Sequence, residues 1–269
     1  MSILAKVMTE IKSDSLPLYM KNPLTRFSSR ATEYAKYRPT YPPEAIAQIL
    51  EGLSNINTIV AADIGAGTGI SSGLLADRGV HVLAIEPNET MRQQATPHPR
   101  VEWREGTAEA THLANQSVDL VTAFQAFHWF NPEPTLQEFC RILKPNRRVA
   151  IVWNHRNRKD QFTQEYSQIL KQATKSRSWE YEKRHTLTTL QESSQFQNIR
   201  HFVSFHRQPL DLTGLIGRTQ SSSYIPTQGT EAEKVIAQLQ ELYHKWKDEQ
   251  ELVYIVYRTD VYLAEVKQG

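Results

Sequence analysis

The residues best suited to chemistry form a glycine-rich turn at Gly65, Gly67 and Gly69, which follows Asp63. Glycines in such a turn let the chain leave a strand sharply and let backbone amides approach a ligand closely. The GxGxxG spacing of dinucleotide sites fails at Ile70, and no lysine follows as in a phosphate-binding loop. Asp63 would repel a pyrophosphate but attract a cationic amino group. The turn therefore predicts a site for an organic ligand that carries an amino group.

A second acidic residue, Glu86, follows the apolar run Val80–Ile85. In nucleotide-binding folds, a carboxylate at the end of the second strand accepts hydrogen bonds from the ribose hydroxyls. Glu86 therefore predicts a ribose of adenosine type near the glycine turn. A surface glutamate beside Pro87 is the alternative interpretation.

Short apolar runs alternate with helical segments through the first part of the chain. The predicted strands are Ile59–Ile64, Val80–Ile85, Val101–Glu105, Val118–Phe124 and Val149–Asn154, and the predicted helices are Pro43–Leu53, Ser71–Arg78, Thr90–Ala95 and Pro134–Leu143. Strands that are apolar throughout and separated by helices indicate a parallel sheet covered on both faces. This order places the glycine turn and Glu86 at neighbouring strand ends.

The pattern changes after Asn154. Helices are predicted at Asp160–Ser178, Leu212–Ser222 and Glu231–Lys247, and strands at Ile199–Arg207 and Leu252–Val266. We therefore expect a flexible leader over 1–22 and a cofactor-binding core over 23–156. A cap with the substrate region would cover 157–247 and include one core-sheet strand near 199–207. The final core strand would lie in 248–269.

Composition excludes several classes of function. The formal charge of +2 is too small to indicate nucleic-acid binding, which needs clustered Lys and Arg. The single cysteine, Cys140, excludes an intramolecular disulfide and a thiolate metal cluster, and it suits a cytoplasmic location. No apolar run approaches the roughly 18–20 residues that span a bilayer. We expect neither a membrane nor a nucleic-acid partner, and no bound metal.

The pattern from Asp63 to Gly69, with Glu86 one unit later, resembles the class I S-adenosylmethionine-dependent methyltransferases. Val118–Phe130 and Arg141–Pro145 are similar to the motifs around the fourth strand and the following helix of that class. The resemblance implies an α/β, Rossmann-like methyltransferase fold. That fold has a mostly parallel seven-stranded sheet with helices on both faces, and here a helical cap insertion.

Two further segments, Phe127–Trp129 and Tyr37–Pro42, resemble a narrower group. They are similar to the type 11, trans-aconitate methyltransferase-like branch that acts on small molecules. The implied function is methyl transfer from S-adenosylmethionine, which leaves S-adenosylhomocysteine, to a small-molecule acceptor.

The resemblance also implies which residues bind the cofactor. Asp63 would lie near its amino group, Glu86 would bind ribose, and Met91 would border adenine. Thr107 stands where the class usually has an acidic residue that faces the adenine amino group. The implied cofactor set is Arg38, Asp63, Gly65, Ala66, Gly67, Gly69, Glu86, Pro87, Met91, Thr107, Ala108, Glu109, Gln125 and Ala126.

The acceptor side is less constrained, because a sulfonium methyl donor needs alignment of a nucleophile rather than a metal or a covalent residue. His128 is the candidate base, with a packed core histidine as the alternative. A carboxylate acceptor would need no base but would need cationic clamps, for which Arg156, Arg207 and Arg218 are candidates. The candidate substrate residues are Tyr37, Trp129 and Arg218.

Three functions stay open at this point. The first is in-line methyl transfer to an oxygen, carboxylate or hydroxyl, or to another nucleophile of a small molecule. The second is a catalytically silent module that binds S-adenosylmethionine. The third is a nicotinamide-dependent oxidoreductase, which the residue at position 70 disfavours. The identity of the acceptor and the choice between monomer and homodimer are also open.

Overall fold

The computed structural model describes Tyr19 and residues 31–174, 188–222 and 224–267. The predicted leader therefore lies outside the described residues except for Tyr19. The described strands form one sheet with seven members. They are β1 Val60–Ile64, β2 His81–Ile85, β3 Val101–Arg104, β4 Val118–Phe124, β5 Leu143–Arg156, β6 Phe196–Leu210 and β7 Val253–Val266.

The strand order is β3-β2-β1-β4-β5-β7-β6. Strands β1 to β5 pair in parallel, whereas β7 runs antiparallel between β5 and β6. All seven residues of β4 are buried, which explains why apolar residues do not alternate with exposed polar ones along this strand. The predicted α/β, mostly parallel, Rossmann-like methyltransferase fold is confirmed.

Eight α-helices lie wholly within the described ranges and flank the sheet or extend beyond it, and residues 188–192 are helical as well. The eight are α1 Ala31–Tyr37, α2 Pro43–Leu50, α3 Ile70–Ala76, α4 Glu89–Arg92, α5 Pro132–Ile142, α6 Gln161–Ala173, α7 Leu212–Gln220 and α8 Thr230–Trp246. Local chemistry starts several of them. The side chains of Asn88, Asp160 and Asp211 each accept a backbone N–H of the first helical turn, as helix caps do. None of the described helices combines the length and apolarity that crossing a bilayer requires.

Two strands are longer than the sequence predicted. Strand β6 spans Phe196–Leu210 rather than Ile199–Arg207. The fifth strand was expected at Val149–Asn154, but β5 begins at Leu143, directly after α5 ends. Lys144 and Pro145 are therefore part of the strand rather than a connecting turn. A register shift against β4 between Val118 and Leu120 accommodates this polar stretch, which an apolar-run criterion overlooks.

Two apolar clusters cover the two faces of the sheet, and a third lies among the cap helices. Ala61 and Ala62, which are neighbours on β1, belong to opposite clusters, as the alternation of a strand requires. Strand β7 joins the sheet to the cap. Its Val253, Ile255 and Tyr257 pack with the cap cluster, whereas Val261 and Leu263 pack against the sheet. The expected division at 156/157 and 247/248 remains a prediction.

Two helical glycines provide a matched test of how the N-terminal helix packs on the cap. A Cβ on Gly217 of α7 would overlap the ring of Tyr37 of α1, whereas a Cβ on Gly73 of α3 would meet nothing within 4 Å. Overpacking makes Gly217→Ala destabilising by about 1–3 kcal/mol in urea unfolding. Gly73→Ala stabilises by about 1 kcal/mol through helix propensity.

The double variant Tyr37→Ala/Gly217→Ala separates overpacking from other effects. Removal of the Tyr37 ring relieves the overlap, so the loss caused by Gly217→Ala shrinks in this background. An equal loss in both backgrounds would show that the ring is not the obstacle.

Candidate functional site

A cavity of about 470 Å³ opens at the carboxyl ends of the first four strands. Ligands of open α/β sheets bind at this edge, where strand order reverses between β1 and β4. The cavity holds eleven of the predicted site residues. These are Gly65, Gly67, Glu86, Pro87, Met91, Thr107, Ala108, Glu109, Gln125, Ala126 and Trp129.

A second, smaller cavity adjoins the first. Both cavities are lined by Tyr34, Gly65, Phe124 and Gln125, so the two spaces share a wall. The smaller cavity also brings in Arg38 and Ala66, two further predicted residues, together with Pro39, Tyr41, Thr68, Ile70 and Ser71. The glycine turn therefore lies between two connected spaces.

Different structural constraints require glycine at the first two glycine positions of the turn. Gly65 has a φ of +68°, and a Cβ there would lie 2.8 Å from the Cβ of Ala126. Gly67 has a φ of +61°, and its Cβ would have ordinary contacts with Met91 at 3.5 Å and Tyr34 at 3.9 Å. Gly65 is thus required by packing of the turn on the end of β4. Gly67 is required by its backbone conformation, and it keeps the cavity wall between Met91 and Tyr34 free of a side chain.

Glu86 is the buried carboxylate of the large cavity, with an exposed fraction of 8%. One of its oxygens accepts the amide N–H of Gly67 at 2.9 Å, and the other accepts the amide N–H of Asn88 at 2.9 Å. Burial raises the pKa of Glu86, while these two hydrogen bonds and the nearby Arg92 act in the opposite direction. The carboxylate is therefore oriented by backbone on both sides and faces the cavity.

Asp63 lines neither cavity and is fully buried. Its expected place near the cofactor amino group, directly or through water, stays a prediction. Its carboxylate accepts three hydroxyl groups, from Ser71 at 2.6 Å, Ser72 at 2.7 Å and Thr122 at 2.8 Å. Burial raises the pKa of Asp63, and these hydrogen bonds partly oppose the shift. Asp63 therefore anchors the start of α3 and the end of β4 beneath the glycine turn.

Gly69 also lies away from both cavities. Its φ is +82°, and a Cβ there would lie 2.8 Å from the indole of Trp103 on β3. The residue is needed for close packing between the start of α3 and the neighbouring strand. Its expected place in the cofactor set stays a prediction, whereas its packing against Trp103 is seen directly.

The expected adenine side is a short loop after β3. Thr107 and Ala110 exchange backbone hydrogen bonds at 3.1 and 3.3 Å, which closes the loop. Glu109 accepts the amide N–H of Asn131 at 2.8 Å and so ties this loop to the start of α5. Thr107, Ala108 and Glu109 all border the large cavity.

Gln125 follows β4 in a left-handed conformation, with a φ of +53°. Its backbone N–H donates to the carbonyl of Val152 at 2.9 Å, and its side-chain Nε2 donates to the backbone carbonyl of Asn154 at 2.8 Å. Both bonds fasten the residue to β5. A strained backbone held in this way positions Gln125 at the wall shared by the two cavities.

Three expected acceptor-side residues lie outside both cavities. His128 is half-buried between the rings of Trp129 and Trp153, with centroid distances of 4.9 and 5.2 Å. Tyr37 packs its ring on Gly217, and Arg218 is buried in the cap with 5% exposure. The packed alternative for His128 is therefore favoured over a base that faces the cavity. Trp129 does line the large cavity.

Other lining residues lie outside the predicted cofactor and substrate sets. Of these, Tyr34 was expected in a segment that could close over the cofactor and Phe130 as core or pocket wall, whereas the rest were missed because their types carry no chemical signature. The large cavity also contains Tyr19, Tyr34, Asn88, Gly106, Phe124, Phe130 and Asn131. In the smaller cavity, Thr68 lies within the glycine turn and could have been inferred from its position. The hydroxyl of Thr68 and the Nε of Arg38 are buried and make no hydrogen bond with the described residues.

No group of three His, Cys, Asp or Glu side chains within the described ranges has an arrangement that could hold a metal ion. The polar atoms of the two cavities are carboxylate, amide, hydroxyl, backbone N–H and guanidinium groups. Such groups suit an organic cofactor with hydroxyl, amino and carboxylate substituents.

Comparison with known proteins agrees with this geometry. Residues 62–151 match the family described as methyltransferase domain. An uncharacterized methyltransferase of Mycobacterium tuberculosis is 35% identical over 145 residues, which are 54% of this chain and 58% of that protein. A candidate methyltransferase from an antibiotic biosynthesis pathway of Anabaena variabilis is 27% identical, with a TM-score of 0.57 over 81% of this chain and 96% of its own.

A candidate type II methyltransferase from Anaeromyxobacter dehalogenans shares the fold. It has 22% identity and a TM-score of 0.64 over 84% of this chain and 97% of that chain. The chain spans only 58% of the length of its M. tuberculosis relative. The matched residues include the glycine turn, Glu86 and Gln125. Residues 62–151 are thus similar to a methyltransferase domain, and the trans-aconitate-like branch remains a prediction.

The anchoring role of Asp63 leads to a stability prediction. Asp63→Ala leaves the hydroxyl groups of Ser71, Ser72 and Thr122 without their buried acceptor, so we expect a loss of about 2–4 kcal/mol in urea unfolding. Asp63→Asn keeps the shape and one acceptor oxygen, so it loses less. Calorimetry with S-adenosylhomocysteine should show that Asp63→Asn weakens binding by less than about tenfold.

The pH dependence provides the control for this prediction. The pKa of Asp63 is raised on folding, so its ionisation opposes folding. Relative to Asp63→Asn, the wild type should lose unfolding free energy as pH rises from about 3.8 through the higher pKa of the folded state. A wild type that gains stability over this window would contradict the assignment.

Proposed function

We propose that this chain acts as a whole as a class I, S-adenosylmethionine-dependent methyltransferase on a small molecule. The methyl group passes in line to an oxygen, carboxylate or hydroxyl, or to another nucleophile of the acceptor. The observation that carries the proposal is Glu86, a buried carboxylate held by two backbone amides in a cavity of about 470 Å³.

The hydrogen-bonding capacity of Glu86 supports a ribose ligand. A carboxylate oxygen has two lone pairs, and each oxygen of Glu86 uses one for a backbone N–H. One lone pair on each oxygen is left for a further donor. Two adjacent hydroxyls, such as those of a ribose, match this pair of acceptors. Met91 and the loop at Thr107 would then border the adenine.

The smaller cavity supports the amino-acid end of the cofactor. The Arg38 Nε and the Thr68 hydroxyl are buried donors without a hydrogen-bond partner among the described residues, and both residues line this cavity. A carboxylate would satisfy both, since guanidinium and hydroxyl groups donate to carboxylates. Arg38 and Thr68 would therefore hold the methionine carboxylate. When bound, the cofactor supplies a methyl group activated by a positive sulfur.

The remaining work of the chain is alignment and exclusion of water. Tyr34, Trp129 and Phe130 form aromatic walls of the large cavity, and Gln125 is held rigidly between the two cavities. In-line transfer depends on such positioning. The ionisable lining residues of the described cavity are Tyr19, Tyr34, Glu86 and Glu109, and none is an imidazole or an amine. This composition favours an oxygen that is already ionised, because a carboxylate needs no base.

The size of the site suits small-molecule ligands, the cofactor among them. A cavity of about 470 Å³ falls within the range of about 300–1,000 Å³ that holds small molecules. The cap over 157–247 is proposed as the substrate region and 23–156 as the cofactor core. A cytoplasmic location, a state of monomer or homodimer, and membership of the trans-aconitate-like branch belong to the same proposal.

The function is tested by ligand-dependent melting together with methyl transfer. We expect S-adenosylmethionine and S-adenosylhomocysteine to raise the melting temperature. At a ligand concentration of one hundred times Kd, binding would add about 2.7 kcal/mol to the free energy of unfolding. We expect NAD to leave it unchanged. Labelled methyl groups should then appear in at least one member of a panel of small carboxylates and alcohols.

Each other outcome favours a different function. Stabilisation by NAD alone would favour the oxidoreductase. Tight binding of S-adenosylhomocysteine without transfer to any panel member would favour the silent binding module.

Glu86 provides the sharpest single variant. Glu86→Ala removes both acceptors for the ribose and should weaken S-adenosylhomocysteine binding by about 1–3 kcal/mol in calorimetry. Glu102→Ala is the matched control, since it removes a glutamate from the exposed part of β3 away from both cavities. Equal affinity in Glu86→Ala and the wild type would show that Glu86 does not bind the ligand.

A further inference from the structure

Three arginines converge at the boundary between the cap and the cofactor cavities. Arg38 follows α1, Arg156 ends β5, and Arg218 lies in α7. Arg38 and Arg218 are joined through Ser221, whose carbonyl accepts from Arg38 at 3.2 Å and whose hydroxyl accepts from Arg218 at 3.3 Å. Arg38 also lines the smaller cavity. The cluster is therefore continuous with the proposed cofactor site.

Among the described residues, no carboxylate is paired with the charges of this cluster. Within the described ranges, none of the three guanidinium groups forms a salt bridge with a carboxylate. Arg218 donates to the hydroxyls of Tyr257 at 3.0 Å and Ser222 at 3.2 Å. Arg38 lies over the ring of Tyr34 at 4.5 Å, and Arg156 over the ring of Tyr166 at 5.6 Å. Hydroxyls and aromatic faces orient these cations but do not neutralise them.

The side chain of Tyr224 lies close enough to these three arginines for their positive charges to affect its pKa. Its burial alone would raise the pKa of the phenol, but Arg156, Arg218 and Arg38 together bring this pKa below its usual value. The pKa of Arg38 is also lowered, first by burial and further by Arg218. All three guanidinium groups thus act on one small region, and that region favours negative charge.

A purely structural role does not require this arrangement. An uncompensated buried cation destabilises a fold, and an apolar side chain of similar volume often replaces it without loss. Arg218 is only 5% exposed, so solvent does not compensate its charge. A guanidinium presents a fork of donors that matches a carboxylate in bidentate geometry. The cluster has the composition of an anion site.

We propose that Arg218 and Arg156, next to Arg38 of the cofactor site, form an anion subsite that binds a carboxylate of the methyl acceptor. The acceptor would then be a small carboxylic acid, and a neutral analogue would be bound poorly. That the bound carboxylate belongs to the methyl acceptor rests on the proposed function. Binding of an anion by the cluster can be measured independently of it.

The test measures melting temperature and calorimetric affinity for the full chain saturated with S-adenosylhomocysteine. The probes are sodium succinate, sodium citrate and inorganic phosphate, each against sodium chloride at equal ionic strength, with dimethyl succinate as the neutral analogue. We expect a carboxylate to raise the melting temperature beyond the chloride control and dimethyl succinate to have no effect. Phosphate should have a smaller effect than the best carboxylate.

Variants assign the response to the cluster. Arg218→Gln should weaken carboxylate binding at least about tenfold while S-adenosylhomocysteine still raises the melting temperature. Arg156→Gln is the second variant, since Arg156 is only half-buried and its replacement disturbs packing less. Arg207→Gln removes an equivalent charge from the exposed edge strand β6 and should bind carboxylates like the wild type.

Three results would overturn the inference. They are a wild type that responds to carboxylates no more than to chloride, full carboxylate binding in both Arg218→Gln and Arg156→Gln, and a stronger response to phosphate than to any carboxylate. Failure of the proposed function looks different, because the wild type would then not be stabilised by S-adenosylhomocysteine.

Discussion

The carboxylate of Asp63 is the interaction on which the site depends. It lies at the end of β1, fully buried, and collects hydroxyl groups from α3 and β4 at distances of 2.6 to 2.8 Å. A buried carboxylate is tolerated only when it is hydrogen-bonded in this way. The glycine turn passes directly above this junction, so its backbone path is determined by polar contacts beneath it. The cavity then follows from the turn and from Glu86, which binds the amide of Gly67.

The second constraint is the pairing of two long antiparallel strands, β6 and β7. They continue from the sheet into the cap, so one backbone ladder connects the apolar clusters of both regions. The cap helices are thereby held at a set distance from the carboxyl edge of the parallel strands. Such rigidity suits a site whose chemistry consists of alignment. It also places the cap arginines beside Arg38 without any sequence signal that would group them.

Polar groups are unevenly satisfied across the molecule, and the pattern is informative. Beneath the glycine turn every charge has its donors. At the smaller cavity and in the adjoining cap, donors on Arg38 and Thr68 lack acceptors, and three guanidinium groups lack carboxylates among the described residues. Buried groups without partners are rare in folded proteins, and ligand sites are one place where they persist. The two regions therefore differ in purpose as well as in position.

Local periodicity and the position of residues relative to strand ends were enough to predict the sheet, the glycine turn and Glu86 at neighbouring strand ends, and Glu86 as a residue of the site. The sequence by itself could not determine which way a side chain points. Asp63 and Gly69 were expected at the cofactor but line neither cavity. Asp63 accepts the hydroxyls of Ser71, Ser72 and Thr122, and Gly69 packs on the indole of Trp103. His128 turned to the aromatic rings of Trp129 and Trp153. The joining of Arg38 with Arg218, 180 residues later in the chain, was decided only by the tertiary structure, because contacts between distant segments depend on packing rather than on spacing.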